Sequence, residues 1–90
     1  MKALGNVQEI SPTGMLLVRA KFVPLKNAEV FDHKMKTIGK VVRIFGPVRK
    51  PYVAIEPEWM DMKTMMNLIG KDVYIKEVNI DGKRKKDRRN

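Results

Sequence analysis

Asp32 and His33 are the neighbours in this 90-residue chain whose types most resemble a proton-transfer pair. General acid–base chemistry needs such groups to converge on one substrate atom, with at least one further positioned partner. Consecutive residues of an extended chain point to opposite faces, and Lys34-Met35-Lys36 follows at once as a polar turn. No Ser or Cys nucleophile is readable with matching geometry, so the pair reads as an ordinary turn. The carboxylates Glu56, Glu58, Asp61 and Asp72 are scattered around a turn and a helix entry, which suits a cap and a solvated surface. With one histidine and no cysteine, neither a thiolate site nor an imidazole cluster can form, and no metal or other cofactor is expected. Gly39 and Gly46 are followed by no phosphate-loop pattern. The residue types thus point away from an enzyme and towards binding.

Binding chemistry concentrates between Asp32 and Ile55. Phe45, Pro47, Val48, Pro51 and Tyr52 make an apolar projection stiffened by two prolines, which lowers the entropy cost of presenting one shape to a partner. The competing reading is a structural corner in which Phe45 and Tyr52 tuck inwards. Met60, Met62, Met65 and Met66 form either a soft core or an adaptable docking face, and Trp59 could anchor either. Base-specific reading of single-stranded RNA requires exposed rings interleaved with cations. Phe22 and Phe31 fall where a core needs them, leaving Phe45, Tyr52, Trp59 and Tyr74 as rings for a surface, with no run of alternating aromatics.

These groups must be held by a mostly β framework. Alternation and turn signals predict strands over Lys2 to Ile10, Met15 to Phe22, Glu29 to Asp32, Thr37 to Phe45, Tyr52 to Glu56 and Asp72 to Glu77. Gly39 suggests a bulge or a bend at a barrel corner. Between the last two strands the period changes: Met62, Met65, Met66 and Ile69 recur at helical spacing, Asp61 can cap and Gly70 can stop, predicting a helix over 61–68. Six short strands with one late helix predict an all-β fold, a small closed six-stranded barrel, because closure removes the edges that so short a chain could hardly cover.

A chain of this length supports one core. No apolar run reaches the roughly 18 residues that a membrane span requires, and the first residues lack the apolar segment of a secretion signal, so a soluble cytoplasmic domain is expected. The net charge is +9. Six basic side chains (Lys83, Arg84, Lys85, Lys86, Arg88, Arg89) against two acidic ones sit in residues 81–90, while the first eighty carry thirteen against eight. The chain therefore divides into a barrel over 1–80 and a basic tail over 81–90, too poor in apolar residues to fold alone. That tail either touches RNA phosphates without sequence preference or keeps the domain soluble.

The segments Leu4-Gly5-Asn6-Val7, Leu17-Val18-Arg19-Ala20-Lys21-Phe22, Val30-Phe31-Asp32, Ile38-Gly39-Lys40-Val41, Phe45-Gly46-Pro47-Val48, Pro51-Tyr52-Val53 and Gly70-Lys71 resemble, in order, the glycine/arginine-rich-type small core protein of H/ACA ribonucleoproteins in its archaeal form. The resemblance implies a barrel of the translation-factor type. It also implies a non-catalytic subunit that docks on the catalytic domain of a dyskerin-type pseudouridine synthase, away from the guide RNA. There it would influence the loop that grips and releases substrate RNA in rRNA pseudouridylation. Contacts with the H/ACA guide RNA would be mostly indirect, and neither a membrane nor a small-molecule substrate is implied. Carried onto this chain, the docking residues would be Ile38, Gly39, Val41, Phe45, Gly46, Pro47, Val48 and Tyr52. The Gly/Arg-rich tails of eukaryotic relatives have no counterpart here, so RNA contact through them is not carried over. The alternative reading is an independent small RNA-binding barrel acting in ribosome or RNA processing.

Overall fold

The computed structural model describes residues 1–80. Six strands form in chain order: β1 (Lys2–Ile10), β2 (Leu16–Ala20), β3 (Glu29–Phe31), β4 (Thr37–Phe45), β5 (Tyr52–Pro57) and β6 (Asp72–Ile75), with a short helix α1 (Met62–Asn67) before β6. All neighbours are antiparallel, and the sheet closes in the order β1-β2-β5-β4-β3-β6. The expected closed six-stranded barrel with one late helix is therefore the fold. Alternate residues of each strand fill the interior, where Leu4, Val7, Leu16, Val18, Val30, Val41, Val53, Ile55, Val73 and Ile75 are fully buried. Each such aliphatic side chain contributes about 1.5–3 kcal/mol relative to exposure.

Closing so small a barrel requires bent strands, and bulges supply the bends. The β1–β2 register shifts between Val7 and Glu9, and the β4–β5 register shifts between Val41 and Arg43. A further shift lies where β3 meets β4, next to Gly39. There the backbones approach so closely that a Cβ on Gly39 would overlap the Glu56 carbonyl oxygen; Gly5 is in the same position against the Arg19 carbonyl.

Helix α1 starts where expected, with the Asp61 carboxylate accepting from the Thr64 backbone N–H at 2.8 Å. Beyond its C-terminus Gly70 adopts φ +86° and hands the chain to β6. The methionine stripe divides. Met65 packs into the core and Met60 lies partly against it, whereas Met62 and Met66 are more than half exposed, because a six-residue helix across a barrel end offers little buried face. Two details differ from the periodicity. β2 stops at Ala20 rather than Phe22, and β6 stops at Ile75, after which a 3-10 turn (Glu77–Asn79) carries Ile80 into an isolated bridge with Pro24. That turn has no apolar repeat to announce it.

Candidate interaction surface

Strand register sets one row of residues across the outside of the barrel. Asp72 pairs with Asn6, Asn6 with Arg19, Arg19 with Tyr52, and Tyr52 with Phe45, so β6, β1, β2, β5 and β4 each contribute one member. Side chains meet within this row at Asn6 and Asp72, at Arg19 and Tyr52, and at Tyr52 and Phe45. Asn6 Nδ2 donates to Asp72 at 3.4 Å and to the Gly70 carbonyl at 2.8 Å. Arg19 Nη1 donates to Tyr52 Oη, and the Arg19 guanidinium carbon lies 4.5 Å from the centre of the Tyr52 ring. Tyr52 and Phe45 stack with centroids 5.7 Å apart and planes inclined by 19°. Arg43 stands over Phe45 at 6.0 Å.

The β4–β5 loop extends from the end of this row. Its base is fixed: Pro51 is fully buried and its carbonyl accepts from the Ala20 N–H at 2.8 Å. Its entry is fixed by Gly46 at φ +89°, where a Cβ would also press on the Tyr52 ring at 3.3 Å. Between these anchors Pro47 is exposed and Val48 is 79% exposed, beside Phe45 at 44%. Phe45, Pro47 and Val48 thus form a run of apolar side chains held outside the core by a pinned loop, and a grouping of this kind suits a contact surface.

The eight residues expected at a docking site separate into two groups. Phe45, Gly46, Pro47 and Val48 are exposed and Tyr52 is half-buried beside them; Ile38, Gly39 and Val41 are buried in the barrel wall. The inward group shapes β4 from within and offers no side chain to a partner outside. Of the other rings, Trp59 is 92% exposed at the opposite end of β5, and Tyr74 is half-buried.

Asp32 and His33 do form a turn. One Asp32 carboxylate oxygen accepts from the backbone N–H groups of Lys34 at 2.8 Å and Lys36 at 2.9 Å, leaving it committed to the β3–β4 hairpin. Glu56 and Glu58 are exposed and line a separate cleft with Asn27, Glu29 and Lys40. Hydrogen bonds from the Thr64 side chain and then its backbone N–H hold the Asp61 carboxyl below its ordinary pKa. Among the described residues no group of three or more His, Cys, Asp or Glu side chains is arranged to hold a metal ion, and no helix is long and apolar enough to cross a membrane. Lys83, Arg84, Lys85, Lys86, Arg88 and Arg89, and with them the expectation of a disordered tail, lie outside the described residues.

Residues 1–84 match the family model described as the Gar1/Naf1 RNA-binding region. The chain belongs to the Gar1/Naf1 family. A protein of Methanothermobacter thermautotrophicus described as uncharacterised is 39% identical over 92 aligned positions, which span 99% of this chain and 100% of that protein. A second uncharacterised protein, from Methanocaldococcus jannaschii, is 51% identical over 47 positions, covering 52% of this chain and 57% of its own length. Gar1/Naf1 proteins are non-catalytic, H/ACA-associated RNA-binding proteins. This Gar1/Naf1 barrel presents rings and cations along the row described above.

Alternation over Met15 to Phe22 puts Arg19 and Lys21 on one face, but does not say which neighbours they meet. Asn6 and Gln8 were not singled out at all. A short polar side chain on a strand carries no signal until the strand beside it is known.

Proposed function

We propose that this protein is a non-catalytic subunit of an H/ACA ribonucleoprotein. In this reading it docks on the catalytic domain of a dyskerin-type pseudouridine synthase and aids loading and release of substrate RNA during rRNA pseudouridylation. The observation that carries the docking is the pinned loop between Gly46 and Pro51, which holds Val48 and Phe45 outside the core. Rigid apolar anchors at the centre of a patch supply most of the energy of a protein interface. The rim is cationic: Arg43 and Arg49 flank the tip, and no acidic residue occurs between Asp32 and Glu56. A partner surface with carboxylates around an apolar recess would complement it.

The test is co-purification with the cognate synthase after Val48→Asp. Loss of the complex with an unchanged unfolding midpoint is the expected result; retention of the complex removes the loop from the interface. The family's RNA-binding character favours a second reading, an independent RNA-binding barrel. Tight binding of free guide RNA by the chain together with no complex with the synthase would decide for that one.

A further inference from the structure

A cleft of about 450 Å³ opens beside the docking loop, lined by Asn6, Gln8, Arg19, Lys21, Lys50 and Asp72. Its cations come from separate places in the chain, Arg19 from β2, Lys21 from just beyond its end and Lys50 from the β4–β5 loop, and closure of the barrel brings them to one opening. Asp72 is the carboxylate of the lining, and it accepts a hydrogen bond from Asn6. Gln8 Nε2 donates to the Asn6 side-chain oxygen at 3.2 Å, so the amides are ordered among themselves.

Arg19 distinguishes this cleft from a scatter of surface lysines. Its guanidinium is held from one side by the Tyr52 ring and hydroxyl, and its Nε is enclosed without a hydrogen-bond partner. A cation fixed in advance loses little freedom when an oxyanion accepts a hydrogen bond from it. The Tyr52 ring is already engaged by Arg19 from the β2 side and Phe45 from the β4 side, which disfavours it as a platform for a stacked base. The lining therefore suits the backbone of a nucleic acid better than its bases.

We infer that the cleft between β1, β2 and the β4–β5 loop holds backbone phosphate of RNA, with Lys21 and Lys50 as the neutralising charges and Arg19 as a cation fixed in place by Tyr52. This rests on the family's RNA-binding character and assigns it a place; the docking by Val48 is independent of it. In the assembled particle the same strip would let one subunit touch protein at the loop tip and RNA beside it.

The test measures affinity of the full chain for a single-stranded RNA oligonucleotide between about 50 and 200 mM salt, where each phosphate contact adds about 0.7 to the slope of log affinity on log salt. Lys21→Gln with Lys50→Gln is compared with Lys36→Gln with Lys63→Gln, which removes the same charge at surface positions that do not line the cleft. The first pair is expected to flatten the slope by about 1.4 and weaken binding several-fold, and the second to leave the slope near that of the parent. Equal effects from both pairs, or no RNA binding by the parent chain, overturn the inference. Loss of synthase co-purification in the first pair would make the cleft part of the protein interface and overturn it too. Loss of the complex in Val48→Asp with RNA affinity unchanged would separate the two sites.

Discussion

Arg19 and Tyr52, thirty-three positions apart, share two contacts at once: the guanidinium lies over the ring at 4.5 Å and Nη1 donates to the phenolic oxygen. Tyr52 thereby fixes a cation on the barrel's outer face while its ring also carries Phe45. The pair stands where the cationic cleft meets the apolar loop.

Tyr52→Phe removes the hydroxyl and keeps both ring contacts. Unfolding free energy should fall by about 1 kcal/mol, the net worth of one such hydrogen bond, as read from urea denaturation. Tyr52→Ala should cost more, because the stack with Phe45 is lost as well. A Tyr52→Phe variant as stable as the parent would mean that the hydroxyl bond carries no net weight.

Two glycines should respond differently to alanine. At Gly39 a Cβ would overlap the Glu56 carbonyl oxygen and lie 2.9 Å from both the Ile55 methyl carbon and the Pro57 Cα, so β4 and β5 must separate. Overpacking of this kind costs about 3 kcal/mol. Gly14 has open space around it and only a φ of +88° to lose, so Gly14→Ala should cost about 1 kcal/mol. Thermal melts of the two variants would rank them.

Met35 occupies the left-handed region at φ 69° in the β3–β4 turn and is 56% exposed. A side chain there is strained by about 1–2 kcal/mol, part of which glycine gives back as chain entropy in the unfolded state. Met35→Gly should therefore stabilise the fold by up to about 1 kcal/mol, seen as a raised unfolding midpoint.

Asp61 should titrate below an ordinary aspartate, because the Thr64 side chain and backbone N–H both favour its charged form. A depressed folded-state value means that the cap's stabilisation is complete above the unfolded aspartate range and is lost as pH falls through the folded value. Thr64→Ala should raise the Asp61 value towards normal. Carboxyl-carbon NMR on both chains would measure it, and an unchanged titration would remove the hydroxyl as a cause.

Local signals were sufficient for the elements. β1 and β4 run over the residues that their β-branched content marks out, Lys2 to Ile10 and Thr37 to Phe45, and Asp61 caps α1 because a carboxylate before a helical repeat satisfies a free N–H wherever it stands. The interaction face was only half legible. Pro47 and Pro51 announced a stiff loop, yet Ile38 and Val41 have the same apolar character as Val48, and composition alone does not say which faces water.

Two features were decided by the tertiary structure. Strict alternation puts Val41 and Phe45 on the same face, but the bulge between Val41 and Arg43 reverses the parity, leaving Val41 inside and carrying Phe45 out. The row from Asp72 to Phe45 likewise depends on register between strands far apart in the chain, which barrel closure fixes and no local spacing encodes. The sequence by itself determined which segments could be strands and where the helix begins, because those preferences act within a few residues. Which side chains meet was settled by bulges and closure, because only the packed barrel chooses one register and one inner face.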